Sequence, residues 1–245
     1  MNGMNMENIE EQLNNIAQET SHLNIANTIR HLCAKFPGKV CFSTSFGKED
    51  QALSHIIFNE KLPVNTFTLD TGRLFQETYD VMEETQKRYD KQIDIYFPDQ
   101  SQVEQMVNKK GPNSFYKSVE NRKECCHIRK VEPLKRALQN CSIWITGLMG
   151  DQSEFRKQLP TFEHDPNFNV IKFNPLINWE RDYLENFIEE HQIPVNKLHD
   201  QGFVSIGCKP CTRAIRPGED FRAGRWWWEE SKKECGLHLS KTNKS

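Results

Sequence analysis

A chain of 245 residues with 36% hydrophobic and 27% charged side chains has the length of one large domain or two small ones, and its 15 Phe and 5 Trp are enough to fill a core. The mean hydropathy is −0.74, no stretch approaches the ~18 apolar residues of a membrane helix, and Met1 to Glu7 lacks a leader pattern. A cytoplasmic protein without a membrane segment is expected, and a formal net charge of −2 argues against nucleic acid or another polyanion as partner.

Residues 7–36 place Ile9, Leu13 and Ile16, then Ile25, Ile29 and Leu32, at helical spacing, predicting one or two amphipathic helices. Lys39 to Ser43 reads as a short buried strand. The loop Thr44 to Gly47 then leads into a helix with Ala52, Leu53, Ile56 and Ile57 on one face. Val64 to Leu69 predicts a second strand, Asp70-Thr71-Gly72 a turn, and the next segment a helix to about Asp90. Further strands are expected at 93–97, 141–146 and 170–173, with helices at 133–138 and 179–191. This alternation is the α/β pattern of an open, mostly parallel sheet flanked by helices. From Asn196 onward periodic segments give way to Gly, Pro, Arg and Trp. The expected organisation is an N-terminal helical segment 1–36, a nucleotide-binding α/β unit 37–211 and a C-terminal tail 212–245.

Ligands of parallel sheets sit beyond the carboxyl ends of the strands, where helix N-termini present free N–H groups. Ser43-Thr44-Ser45-Phe46-Gly47-Lys48-Glu49-Asp50 lies at such a place. Its hydroxyls and Gly47 suit an anion, although an ordinary helix cap would read the same. It has neither the ending of a P-loop nor the glycine spacing of a dinucleotide fingerprint.

Eight cysteines in a chain with no secretion signal argue for metal or redox chemistry rather than a disulfide framework. Cys33, Cys41 and Cys141 occupy apolar helix or strand positions and read as core. Cys125-Cys126 and Cys208-Lys209-Pro210-Cys211 form two tight pairs about eighty residues apart. Zinc, a redox pair or simple burial are all open to such a set. The adjacent pair favours a [4Fe–4S] cluster, because neighbouring thiolates diverge and can reach different irons. Seven basic residues face three acidic ones between Lys117 and Arg136, and five face two between Lys209 and Arg225. Both basic runs flank the cysteine pairs, and helical spacing would set Lys130 on the face of Cys126. Cys235, near the C-terminus, has no local partner. It reads either as an incidental tail thiol or, with Arg222, Arg225 and His238 lowering its pKa, as a nucleophile.

Several long motifs carry a family resemblance: Ser43 to Asp50, Cys125-Cys126 through Leu134, Trp144 to Gly147, Leu198 to Gly202, Ser205 to Arg213, Arg216 to Asp220, Arg222 to Trp228 and Glu234 to His238. In type and order they resemble assimilatory adenosine 5′-phosphosulfate (APS) reductases, across about residues 39–238. The resemblance implies a fold like the adenine-nucleotide α-hydrolases, related to ATP pyrophosphatases. It also implies a [4Fe–4S] cluster on Cys125, Cys126, Cys208 and Cys211. The implied reaction, in sulfate assimilation and cysteine biosynthesis, turns APS and reduced thioredoxin (or glutaredoxin) into sulfite, AMP and oxidised donor through an S-sulfo-cysteine on Cys235. Ser43, Ser45 and Gly47 are expected to hold the phosphate, Leu69 and Gly147 to contact adenine, and Lys130, Arg156, Arg222 and Arg225 to face the phosphosulfate. Family members often self-associate, so a homo-oligomer is compatible. The chain departs from the family pattern at Met149 and Gly150, where most relatives carry arginines. A reductase for the 3′-phosphorylated analogue (PAPS) and a non-catalytic iron–sulfur sensor are the competing readings.

Overall fold

The computed structural model describes residues 6–153 and 156–229. Two helices, α1 (Met6–Thr20) and α2 (Ile25–Lys35), precede β1 (Val40–Thr44). They are followed by α3 (Lys48–Asn59), β2 (Asn65–Leu69), α4 (Gln76–Tyr89), β3 (Asp94–Tyr96), α5 (Gln100–Lys110) and α6 (Val119–Cys126). The chain continues through α7 (Glu132–Ala137), β4 (Ile143–Ile145), β5 (Phe162–Asp165), β6 (Val170–Phe173) and α8 (Arg181–Glu190). The six strands form one sheet in the order β3-β2-β1-β4-β6-β5, parallel except for β5 against β6. It is the open, mostly parallel α/β sheet expected.

Strand order reverses between β1 and β4, which are direct neighbours. Such a switch point opens a crevice at the strand C-termini, because the connections on either side run to opposite flanks. The core beneath it is continuous: Ile16 and Ile29 of the first two helices join Phe42, Leu53, Ile143, Ile145 and Phe173. Three of the helices start where short polar side chains satisfy free N–H groups. Asn24, Asp99 and Ser118 accept from Asn27, Gln102 and Asn121 at the starts of α2, α5 and α6.

Three local features depart from expectation. β5 is absent from the periodicity reading because Phe-Glu-His-Asp carries no apolar run; it is a sheet-edge strand, where one side needs no burial. The chain between Cys126 and Lys130 does not keep α-helical spacing, since His127–Val131 forms a π turn before α7. Cys41 and Cys141, read as unlinked core residues, form a disulfide with Cα atoms 6.1 Å apart. Adjacency of β1 and β4 causes this: Cys41 pairs with Trp144, and Cys141 lies just ahead of that strand. Cys33 is buried and unpaired, its thiol pushed up to about 11 by burial.

Candidate active site

The turn after β1 builds the floor of the crevice. Phe46 adopts a left-handed conformation (φ 61°) with its ring fully buried, and Gly47 then caps α3. A non-glycine residue in that region is uncommon and costs energy that the buried ring offsets. The reversal leaves Ser43, Ser45 and Gly47 along one cleft. Ser43 Oγ accepts from Trp144 Nε1 at 2.8 Å. Ser45 donates both its backbone N–H and its hydroxyl to Asp50 Oδ2, at 2.6 and 2.7 Å. Burial pushes Asp50 up to about 6, against the pull of those two hydrogen bonds. Gly147, at the end of β4, must be glycine here, because a Cβ would lie 2.2 Å from Asp50 Oδ1.

All nine residues expected to touch the nucleotide line this cleft: Ser43, Ser45, Gly47, Leu69, Lys130, Gly147, Arg156, Arg222 and Arg225. Charge divides it into two zones. Glu49 and Asp50 stand on one side, where Gln152 donates to Glu49 at 2.8 Å and accepts from the buried Arg156. Lys130, Arg222 and Arg225 supply the other zone. Arg225 is buried, with its guanidinium 4.8 Å from the Trp226 ring and its Nε without a hydrogen-bond partner among the described residues. Gly207 makes room for it, since a Cβ there would sit 2.3 Å from an Arg225 nitrogen. A buried cation with spare donor capacity beside a cleft is suited to an anion.

A second, smaller cavity adjoins the basic zone. Cys125, Cys126, Cys208 and Cys211 line it, together with Arg73, Phe115, Arg122, Arg129, Lys130 and Pro210. The first two thiols come from the last turn of α6; Cys208 precedes and Cys211 ends a 3₁₀ turn at Lys209–Cys211. Among the described residues, no three Cys, His, Asp or Glu side chains are placed to hold a single metal ion. The four thiols ring a cavity instead. Burial raises Cys125, and pushes Cys211 up to about 12. Burial also acts on Cys208, but Lys130, the Thr71 hydroxyl at 3.3 Å and Arg225 outweigh it and lower the thiol. Cys208 and Lys130 line both cavities and so join them.

The segment after Cys211 folds back over the cleft. Thr212 bridges Arg225, and Trp226 is buried with the Arg122 guanidinium 4.7 Å from its ring. Arg122 pairs with Glu229 at 2.9 Å, both side chains being almost fully buried. Cys235, the expected nucleophile, and the Glu234 to His238 motif lie outside the described residues. Met149, where an arginine was expected by resemblance, is fully buried in the main core. A Cβ on Gly150 would meet the Ile177 carbonyl at 2.9 Å, so a side chain there requires the backbone to shift.

Glu49, Asp50, Thr71, Trp144, His199 and Phe221 also line the cleft and were not singled out by the sequence reading. Glu49, Asp50, Trp144 and His199 belong to the motifs quoted above, but a polar residue in the first turn of a helix reads as a cap, and a tryptophan in a strand reads as core. His199 hydrogen-bonds the Phe203 carbonyl at 2.8 Å, and burial lowers its pKa.

Residues 39–214 match the phosphoadenosine phosphosulfate reductase domain family. A protein of Sinorhizobium fredii named adenosine 5′-phosphosulfate reductase is 43% identical over 243 residues, covering 99% of this chain and 96% of that one. A protein of Allochromatium vinosum with the same name is 49% identical over 200 residues, covering 81% of this chain and 78% of that one. Among solved structures, the phosphoadenylyl-sulfate (PAPS) reductase of Candida auris, in a phosphate complex, superposes with a TM-score of 0.71. It is 26% identical and covers 87% of this chain and 99% of that one. Candida glabrata FMN adenylyltransferase in complex with ATP shares the fold at a TM-score of 0.52 and 19% identity, covering 85% of this chain and 65% of that one. The sheet with its switch-point cleft, and the match across most of its length, place this chain in the phosphoadenosine phosphosulfate reductase domain family.

Proposed function

We propose that the protein reduces APS to sulfite and AMP with thioredoxin or glutaredoxin as electron donor, in the cytoplasm, as a step of sulfate assimilation. The observation that carries this reading is the convergence of Lys130, Arg222 and Arg225 on one cleft, beside a four-thiol cavity. A thiolate attacking a sulfonated anion meets like charge, so cations fixed before reaction lower the barrier without reorganising during it. Ser43, near the end of β1, and Gly47, the cap of α3, suit the phosphate, and the free N–H groups at the start of that helix favour negative charge.

Cys235 is the proposed nucleophile. Its thiolate attacks the sulfur of APS, a sulfur–sulfur bond forms, and the sulfur–oxygen bond to the phosphate of AMP breaks with the electron pair leaving on oxygen. A thioredoxin thiolate then attacks Cys235 Sγ and releases sulfite, and the second thioredoxin thiol closes the donor disulfide. The two electrons that reduce the sulfur thus come from the donor dithiol.

Four thiols around one cavity, three of them buried and Cys126 half-buried, with basic side chains beside them, fit a [4Fe–4S] cluster, whose irons are held by four separate cysteine sulfurs. Cys125, Cys126, Cys208 and Cys211 would hold it, and bound there it would supply a fixed charge that polarises the site rather than an electron. Lys130, lining both cavities, would place its ammonium between that charge and the substrate.

The reading is tested by sulfite release with thioredoxin from APS and from PAPS. A higher kcat/KM for APS, abolished by Cys235→Ser, is expected. Preference for PAPS would make the protein a PAPS reductase, and absence of turnover with either nucleotide would leave an iron–sulfur binding protein without this activity.

A further inference from the structure

Ser43, near the end of β1, and Ser45, just past it, sit two residues apart, yet their hydroxyls are wired in opposite senses. A carboxylate only accepts, so the Ser45 hydroxyl at 2.7 Å from Asp50 donates its proton to that group. An indole N–H only donates, so Ser43 Oγ, 2.8 Å from Trp144 Nε1, must accept. Ser43 therefore keeps its own proton for another acceptor, and it faces the cleft.

Trp144 cannot easily turn away from this task. Its side chain is 1% exposed. The buried Lys172 ammonium lies 5.3 Å from its ring centroid and is held there by Asp165 at 2.6 Å. Phe168 meets the same ring edge-on at 5.7 Å. A cation against the π face and an aromatic edge fix the indole plane, and with it the direction of the N–H.

We propose that Trp144 is a positioning residue for the anion site: by occupying a lone pair of Ser43 it directs the Ser43 hydroxyl proton toward a phosphate oxygen in the cleft. The identity of that phosphate as part of APS or AMP rests on the function proposed above; the wiring itself requires only a phosphate. Ser45, committed to Asp50, contributes its lone pairs rather than a donor.

A double-mutant cycle on the full-length protein tests this, with Trp144→Phe, Ser43→Ala and the double variant titrated separately with AMP and with inorganic phosphate. Each single change should weaken both ligands about tenfold, the loss expected for one hydrogen bond to a charged acceptor. The double variant should be no weaker than Ser43→Ala alone, because Trp144 acts through Ser43. In the reductase assay, Trp144→Phe should raise KM for APS with kcat nearly unchanged. Additive losses in the cycle, or unchanged phosphate affinity in Trp144→Phe, would overturn the proposal. If Trp144→Phe does not fold, Ser43→Ala still decides: its removal should shift the Trp144 indole N–H resonance in the nuclear magnetic resonance spectrum, and an unmoved resonance would contradict the hydrogen bond. Failure to turn over APS with an intact phosphate cycle would sink the function and leave the Trp144 assignment standing.

Discussion

Asp50 receives two hydrogen bonds from Ser45 and still has its pKa raised to about 6, because burial outweighs them. Glu49 adds to the rise and Arg156 opposes it. A carboxyl whose folded-state pKa lies above its unfolded value binds its proton more tightly in the native protein. The associated stability is fully present below about pH 4 and is lost as pH rises through about 6, a change on the order of 3 kcal/mol. Urea unfolding of wild type and Asp50→Asn across pH 4 to about 7 should show wild-type stability falling relative to the variant; parallel curves would refute the assignment. At this scale the sequence made much of the site legible. Ser43, Ser45 and Gly47 stand in a strand-to-helix turn, and the cysteines and arginines stand in dense, unusual motifs. The turning of Ser45 to Asp50, and the indole behind Ser43, were not legible. Both depend on Gly147 and β4 arriving beside β1 from a hundred residues away.

Strand neighbourhood decides what the elements do with their side chains. β1 and β4 are adjacent in space and distant in sequence, so the Cys41–Cys141 link closes a loop with a sequence separation of 100. Constraint of the unfolded chain by a loop of that length is worth about 5 kcal/mol in the chain-entropy account. Alkylation of the denatured apoprotein without reductant should label six of the eight cysteines, and all eight after reduction. Labelling of all eight without reductant would show the bond absent. The alternation of strands and helices gave the parallel sheet because buried strands and amphipathic helices leave different apolar periods. The edge strand β5 and the polar helix α5, of which Met106 alone is buried, leave no such trace. The π turn at His127–Val131 is hidden for another reason: it is a change of hydrogen-bond register within an ordinary helical composition.

Over the whole molecule, α6 connects the proposed chemistry to the chain's C-terminal segment. Cys125 and Cys126 sit at its end, and Arg122, one turn earlier, pairs with Glu229 and stacks on Trp226. The same helix thus borders the four-thiol cavity and anchors the last described residue, six positions before Cys235. The near-neutral net charge conceals this arrangement, since Lys130, Arg222 and Arg225 gather on the cleft beside the thiols, although Glu49 and Asp50 also line it. The proposed reaction requires a covalent intermediate on Cys235 that survives until a donor thiol arrives. Mass spectrometry of the protein mixed with APS in the absence of any thiol donor tests it most directly. One sulfo group on the peptide containing Cys235 and one equivalent of AMP released are expected, with sulfite appearing only when reduced thioredoxin is added. An unmodified Cys235 after AMP release, or sulfite formed without a donor, would contradict it.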